Sequence, residues 1–206
     1  MKRIRTAIVG CGAISDIYMQ NLKNRFSIVE LVGCCDLDAA RCAAAAEKYA
    51  IRVMTMEDIL ADTSIELVVN LTNPKAHYAV IRQLLEGGKN VYTEKVLSIE
   101  LEQAKELVRI ADERGLYLGA APDTFLGAAI QTARLAVERG MIGKVTSCVA
   151  QNGRDYNMMG QLVPFIPQQG GGIGFDVGIY YITALVSILG PVRRVNGFLK
   201  YPTEKR

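Results

Sequence analysis

The sequence predicts an α/β protein whose N-terminal part is a doubly wound parallel sheet with helices on both faces. Half of its 206 residues are hydrophobic (50%) and 22% are charged, which is the balance of a folded globular protein. Short β-branched runs alternate with amphipathic stretches over residues 4–121, and this alternation favours a parallel sheet with right-handed crossovers. A turn containing glycine follows the first apolar run, at the edge where such sheets bind ligands.

The elements of this part are predicted in strand–helix order. Short β-branched or apolar runs predict strands over 4–9, 28–35, 67–71, 90–93 and 116–121. Helices are predicted between the strands: one from Ile14, one over 38–50 with Asp38 as its N-cap, one from Pro74, and one from a Ser98 cap to Gly115. The stretch 67–71 is apolar throughout, as expected of a strand that is buried on both faces.

The pattern changes after Pro122, where we place a domain boundary. The residues beyond it predict a helix (126–139), a strand (144–151), a loop rich in Gly, Gln and Pro (152–172), a helix (173–189) and a final strand (192–200). The chain is therefore expected to hold an N-terminal domain over 1–122 and a smaller second part over 123–206.

The turn after the first strand is Gly10-Cys11-Gly12-Ala13-Ile14-Ser15, a variant of the dinucleotide-binding fingerprint with serine at the third small position. Gly10 permits the tight turn out of the strand, and Gly12 has no side chain to block a pyrophosphate. Ala13 and Ile14 lead into a helix whose first N–H groups suit a phosphate. We assign Gly10, Gly12, Ala13 and Ile14 to cofactor binding; the alternative is an ordinary strand-to-helix turn.

Asp36 ends the second predicted strand. A carboxylate at that position can accept hydrogen bonds from a ribose hydroxyl and repels the extra phosphate of NADP, so NAD is the expected cofactor. Arg41 can offset this repulsion, which leaves NADP as the alternative. The other interpretation of Asp36 is a helix cap.

Two more polar clusters point to chemistry at the same place. Glu94-Lys95 closes a predicted strand, and the Lys95 ammonium can donate to a substrate oxygen; a solvated strand-end lysine is the alternative. Asp176, Tyr180 and Thr183 stand at i, i+4 and i+7, and hence on one face of the helix predicted over 173–189. An aspartate in so apolar a helix needs a partner, and Lys95 is the natural candidate. The alternative is a structural role, with Asp176 as a hydrogen-bonded core aspartate and Tyr180 as a packing residue.

Charge, cysteine count and hydropathy argue against other classes of protein. Lys and Arg number 24 against 21 acidic residues, a net charge of +3, which gives no reason to expect a nucleic-acid partner. The five cysteines include no Cys-x-x-Cys and there is one histidine. We therefore expect no disulfide framework, no metal and a cytoplasmic location. The apolar stretch 173–189 is too short to span a bilayer, so we expect no membrane association and interpret it as a buried helix.

These motifs together resemble the glucose-fructose oxidoreductase, inositol dehydrogenase and rhizopine-catabolism (Gfo/Idh/MocA) oxidoreductase family. The residues that carry the resemblance are Ala7–Tyr18, Asn70–Pro74 with His77, Glu94-Lys95, and Gly170–Tyr180 continuing to Pro191. The resemblance implies an N-terminal Rossmann domain and a C-terminal α/β domain with a mostly antiparallel sheet. It also implies hydride transfer between a nicotinamide cofactor and a sugar, polyol or related carbonyl or alcohol.

Carried over position by position, the resemblance implies that Lys95 is the lysine of the family's Glu-Lys-Pro motif, which orients substrate and assists proton transfer. Asp176 matches the acid of its Asp-x-Gly-x-His motif. Thr72 and Asn73 match the loop near the cofactor, and Glu94 and Lys95 are assigned to the cofactor site with them. We expect Lys95, Asp176 and Tyr180 to share the acid/base role, and His77 to be structural.

The sequence departs from the family pattern at three points. Val96 replaces the proline after Lys95, and because a cis bond without proline costs about 2.5–4 kcal/mol, we predict a trans Lys95–Val96 peptide. Tyr180 stands where many relatives have histidine, although a phenol can still exchange a proton. Family members extend well beyond Arg206, so we expect a truncated second domain with an incomplete sheet that self-associates into a homo-oligomer. A non-catalytic dinucleotide-binding protein, or a relic without a complete substrate domain, is the alternative to an enzyme.

Overall fold

Six parallel strands form one sheet in a computed structural model that describes residues 2–153, 158, 160–161 and 165–198. The strands are β1 (Ile4–Val9), β2 (Val29–Cys35), β3 (Arg52–Val53), β4 (Leu67–Asn70), β5 (Asn90–Thr93) and β6 (Leu118–Ala120). Their order is β3-β2-β1-β4-β5-β6 and every pairing is parallel. The predicted doubly wound sheet is confirmed, and its strand order reverses between β1 and β4.

Five helices connect the strands: α1 (Ser15–Asn24), α2 (Ala39–Tyr49), α3 (Met56–Ala61), α4 (Pro74–Glu86) and α5 (Leu101–Arg114). After the sheet come a 3₁₀ turn (Thr124–Leu126), α6 (Ala128–Glu138), a π-helical segment (Gly174–Gly178) and α7 (Ile179–Leu189). No described helix is both long and apolar enough to cross a bilayer.

Each face of the sheet buries its own hydrophobic cluster. Ala7 and Val68 face one cluster and their neighbours Ile8 and Val69 face the other, because successive strand residues point to opposite faces. Helices α3, α4 and α5 cover the first cluster, and α1 and α2 cover the second. The prediction that β4 is buried on both faces is confirmed.

Local signals at helix ends had mixed outcomes. Asp38 accepts hydrogen bonds from the backbone N–H groups of Ala40 and Arg41, as predicted for an N-cap, and Gly115 ends α5 with a φ of 63°. The predicted Ser98 cap is wrong, since α5 begins at Leu101 and Glu100 is its N-cap. Ser98 Oγ instead donates to Gln103 Oε1 at 2.7 Å.

The chain divides into two compact units. The described residues of 1–123 and 152–179 form the first unit, and those of 124–151 and 180–206 form the second. The predicted domain boundary at residue 122 remains a prediction.

The antiparallel sheet expected in the C-terminal part is absent from the described residues. The strand predicted over 144–151 and the described part (192–198) of the strand predicted over 192–200 have no regular structure; 199–200 lie outside the described residues. Val149, Val195 and Phe198 are almost fully exposed. A strand needs a neighbour to satisfy its backbone groups, and none of the described segments supplies one here.

The apolar stretch 173–189 is helical, as predicted, but it is not a buried helix, since Val177 is its only buried residue. Ile182 and Leu189 are 57% and 46% exposed, and α7 contains no fully buried residue. Helix α7 is therefore apolar in composition but does not form part of a hydrophobic core among the described residues.

Candidate active site

One row of residues runs across the carboxyl end of the sheet. The strand register aligns Cys35, Val9, Asn70, Thr93 and Ala120 side by side. The residues that follow this row therefore emerge at a single edge; they include Gly10, Asp36, Leu71, Glu94 and Ala121. This register explains why motifs that are far apart in the sequence share one crevice.

Gly10 occupies a position that only glycine fits. Its φ is +101°, and a Cβ built there would lie 2.7 Å from the Leu71 carbonyl carbon and 2.8 Å from the Thr72 nitrogen. The turn out of β1 thus passes directly against the end of β4, at the point where the strand order reverses. Both the backbone angle and the close approach require a residue without a side chain.

Gly12 is glycine for a different reason. A Cβ at this position would meet no atom within 4 Å, so the space beside it is open. Ser15 Oγ donates to the Gly12 carbonyl at 2.7 Å, and Ala13 and Ile14 are exposed on the turn. The N-terminus of α1, where Ile14 is the N-cap, has no side-chain cap. The turn therefore presents backbone N–H groups beside open space, which is the arrangement that receives a phosphate.

Asp36 is held in place by the glycine turn. Its Oδ2 accepts from the Cys11 N–H at 2.6 Å and its Oδ1 accepts from the Asp38 N–H at 2.8 Å. The side chain is only 11% exposed, with Arg41 Nη2 at 3.7 Å from Oδ1. Arg41 also donates to Asp38 at 2.9 Å. The carboxylate is thus fixed at the edge of the crevice, and Arg41 lies close enough to moderate its charge.

The loop after β4 is organised by a buried amide. Asn70 is fully buried, and its Oδ1 accepts from Thr72 Oγ1 at 2.8 Å and from the Thr72 N–H at 3.2 Å. Its Nδ2 donates to Thr93 Oγ1 at 3.0 Å, on the next strand. Thr72 is thereby fixed at the crevice, while Asn73 is the exposed N-cap of α4. Sequence analysis assigned Thr72 and Asn73 but missed Asn70, whose polar side chain in an apolar run was the available signal.

The Glu94 carboxylate accepts hydrogen bonds from Tyr18 on α1 and from the backbone of Lys95. Tyr18 Oη donates to Glu94 Oε1 at 2.7 Å, and the Lys95 N–H donates to Glu94 Oε2 at 3.1 Å. Burial, and then the hydrogen bond to the Glu94 carboxylate, raise the pKa of Tyr18 well above its ordinary value. Tyr18 therefore stays a neutral donor. This contact could not be predicted from the sequence, since helical spacing carries no information about a partner on another element.

Lys95 and Asp176 form a largely buried ion pair. Lys95 Nζ lies 2.7 Å from Asp176 Oδ1 and 3.2 Å from the Asp176 carbonyl oxygen. The side chains are 15% and 13% exposed. The structure brings together the two residues that were predicted to be partners, although 81 positions separate them.

The prediction of a trans Lys95–Val96 peptide is wrong, because the bond is cis. The residue after this bond is held by tertiary contacts that the local sequence does not encode: the Val96 side chain is buried, and its carbonyl oxygen lies 2.6 Å from Nδ1 of the fully buried His77. His77 Nε2 lies 2.8 Å from the Thr72 carbonyl oxygen. The imidazole thus links the lysine loop to the loop after β4, which agrees with the structural role predicted for it.

The remaining predicted acid/base residue, Tyr180, belongs to the second compact unit. Asp176 lies in the π-helical segment, where the turns are wider than those of an α-helix. The i, i+4, i+7 spacing therefore does not by itself put Asp176, Tyr180 and Thr183 on one face. The participation of Tyr180 stays a prediction.

Known proteins are similar to this chain in sequence and in fold. An uncharacterized oxidoreductase of Schizosaccharomyces pombe is 28% identical over 211 residues, which cover 97% of this chain and 55% of the relative. Inositol 2-dehydrogenase of Salmonella typhimurium is 30% identical over 115 residues, which cover 54% of this chain and 34% of that enzyme. The crystal structure of GenD2 from gentamicin A biosynthesis, in complex with NAD, is 26% identical with a TM-score of 0.79 and covers 92% of this chain and 54% of GenD2.

The chain spans between 38% and 56% of the length of the first curated relatives. Residues 4–121 match the family described as an oxidoreductase family with an NAD-binding Rossmann fold, and residues 130–205 match the GFO/IDH/MocA C-terminal domain. The first match alone covers more than half of the chain. The chain therefore belongs to the Gfo/Idh/MocA family of oxidoreductases, with an NAD-binding Rossmann fold in its N-terminal part.

Proposed function

We propose that this protein is an NAD-dependent oxidoreductase that transfers a hydride between NAD and a sugar, polyol or related alcohol or carbonyl compound. The observation that carries the proposal is the Lys95–Asp176 pair, which has an Nζ–Oδ1 distance of 2.7 Å and lies in the same compact unit as the glycine turn. A plain nucleotide-binding module has no need of a largely buried lysine–carboxylate pair in that unit.

The residues at the crevice fit a dinucleotide. Open space beside Gly12 and the uncapped start of α1 suit the pyrophosphate. The fixed Asp36 carboxylate suits the hydroxyls of the adenosine ribose and favours NAD over NADP. The proposal places Thr72, Asn73 and Glu94 beside the cofactor, between the pyrophosphate and the nicotinamide ring. When bound, NAD supplies the hydride chemistry at its nicotinamide ring.

In this proposal the Lys95–Asp176 pair carries out the proton transfer. The Lys95 ammonium donates to the substrate oxygen and stabilises the negative charge that develops there during oxidation of an alcohol. The hydroxyl proton passes to the Asp176 carboxylate, which is the acceptor of the pair, and returns to oxygen in the reverse direction. Tyr180 is the third proposed member of this acid/base group.

Relatives support the substrate class. Inositol 2-dehydrogenase of Salmonella typhimurium, which is 30% identical over 115 residues, is among the curated relatives. We propose that residues 1–122 bind the cofactor and that residues 123–206 contribute to substrate binding.

Calorimetry and a turnover screen test the proposal. The full chain is titrated with NAD and with NADP, and turnover is screened over polyols and sugars. The Lys95→Met variant is compared with Lys105→Met, whose lysine lies on the exposed surface of α5 and pairs with Glu102 at 2.7 Å. We expect NAD binding in all three proteins and turnover in all but Lys95→Met. Binding without turnover in the unmodified chain supports the non-catalytic alternative, and absence of binding to either dinucleotide overturns the proposal.

Location and assembly are proposed on separate grounds. All five cysteines are free thiols, which fits the reducing cytoplasm. Several large apolar side chains after residue 140 are exposed, including Met141, Val149 and Phe198, and we propose that they are covered in a homo-oligomer. Light scattering that shows a stable monomer would contradict the homo-oligomer.

A further inference from the structure

Three buried cysteines converge beneath the glycine turn. Cys11 lies in the turn, Cys34 in β2 and Cys42 in α2, and their Sγ atoms all lie within 4.8 Å of one another. The exposed fractions of the three residues are 8%, 0% and 2%. Spacing in the sequence could not reveal this group, because 23 and 8 residues separate its members and no Cys-x-x-Cys is present.

We propose that Cys11, Cys34 and Cys42 form a binding site for a thiophilic d¹⁰ metal ion held by three thiolates. The Sγ atoms of Cys34 and Cys42 are 3.7 Å apart. Two sulfur ligands at about 2.3 Å from one metal ion are separated by about 3.8 Å at a tetrahedral angle and about 4.0 Å at a trigonal angle. The closest pair therefore already has the separation of two ligands, and Cys11 needs a shift of less than about 1 Å to complete the set.

The surroundings of the thiols select the class of ion. The neighbouring buried side chains are apolar, and include Ile8, Leu31 and Val69, so these side chains offer a hard cation no oxygen ligand at this point. Thiolates prefer soft ions such as Cu(I), Zn(II) or Cd(II). A metal ion displaces the thiol protons on binding.

Cys11 offers the way into the group. It lies in the turn after β1 and, at 8% exposed, is the most exposed of the three cysteines, so a metal ion would enter from the side of the turn.

Cadmium titration of the reduced full chain tests the site without any dinucleotide, so its outcome is independent of the proposed enzymatic function. The Cys35→Ser/Cys148→Ser double variant removes the two thiols outside the group, and Cys42→Ala is then added to it. We expect one Cd(II) per chain, with thiolate-to-metal charge-transfer absorption, in the unmodified chain and the double variant. Loss of a direct ligand should weaken binding by more than about 100-fold, since even second-shell changes cost 10–100-fold.

X-ray absorption on the unmodified chain with one equivalent of Cd(II) keeps the proposal testable if the Cys42→Ala variant fails to fold. Three sulfur neighbours around the metal are expected. Fewer than three sulfur neighbours, failure to bind Cd(II), or equal affinity after Cys42→Ala would each overturn the proposal.

Discussion

Replacing Gly10 by alanine should lower stability, whereas the same replacement at Gly12, in the same turn, should weaken NAD binding. Gly10→Ala forces an L-residue to a φ of +101° and sets its Cβ 2.7 Å from the Leu71 carbonyl carbon. The backbone angle costs about 1–2 kcal/mol, and overpacking against the end of β4 adds about 1–3 kcal/mol. We therefore expect Gly10→Ala to lower the free energy of unfolding by about 2–5 kcal/mol.

Gly12→Ala is the matched control for stability. Its Cβ meets no atom within 4 Å, so we expect the free energy of unfolding to stay within about 0.5 kcal/mol of the unmodified chain. The added methyl group instead occupies the space assigned to the pyrophosphate, so NAD affinity should fall by more than about tenfold.

Urea unfolding and NAD calorimetry on the three proteins separate the two effects. A Gly10→Ala protein as stable as the unmodified chain would refute the argument from the close approach to β4. A Gly12→Ala protein with unchanged NAD affinity would refute the placement of the pyrophosphate.

Three further predictions concern the ion pair, the buried histidine and acid stability. Lys95→Met and Asp176→Asn should each cost about 3 kcal/mol of unfolding free energy, because each removes the attraction between two opposite charges that are largely buried. In a urea double-mutant cycle the double variant should cost about 1–3 kcal/mol less than the sum, and strict additivity would contradict a direct pair. His77→Phe removes the imidazole that lies within hydrogen-bonding distance of the Val96 and Thr72 carbonyl oxygens and should cost about 1–3 kcal/mol in the same assay. A cost under about 0.5 kcal/mol would disprove the link between the two loops. The hydrogen bond from Ser64, and then that from Arg52, lower the pKa of Asp62 from 3.8 to about 2, so its carboxylate stabilises the fold above pH 3.8 and this contribution is lost as pH falls through about 2. Thermal melts over that window should show a shallower decline for Asp62→Asn, and an unchanged slope would count against this assignment.

The N-terminal sheet could be predicted because its signals are local. Strands β1 and β5 have the predicted bounds, since each is a short run rich in β-branched residues. The short β3 and α3 were missed, because a strand of two residues has no measurable period. A capping box between Thr55 and Asp58 marks the start of α3 and was the signal available for it.

The features that sequence analysis got wrong depend on contacts between distant segments. A strand over 144–151 needs a neighbouring strand, and none of the described residues provides one. The cis Lys95–Val96 bond lies in a segment fixed by His77, and the Cys11–Cys34–Cys42 group forms only when β1, β2 and α2 pack together. The Lys95–Asp176 pair was predictable, because an aspartate in an apolar helix requires a partner and few cations follow buried strands.

A crystal structure of the full chain with NAD would show whether the glycine turn, Asp36 and Lys95 hold one dinucleotide. We expect the pyrophosphate beside Gly12 at the start of α1, the adenosine ribose hydroxyls within hydrogen-bonding distance of Asp36, and the nicotinamide ring at Lys95. Dinucleotide density at any other place, or a nicotinamide ring remote from Lys95, would contradict this placement.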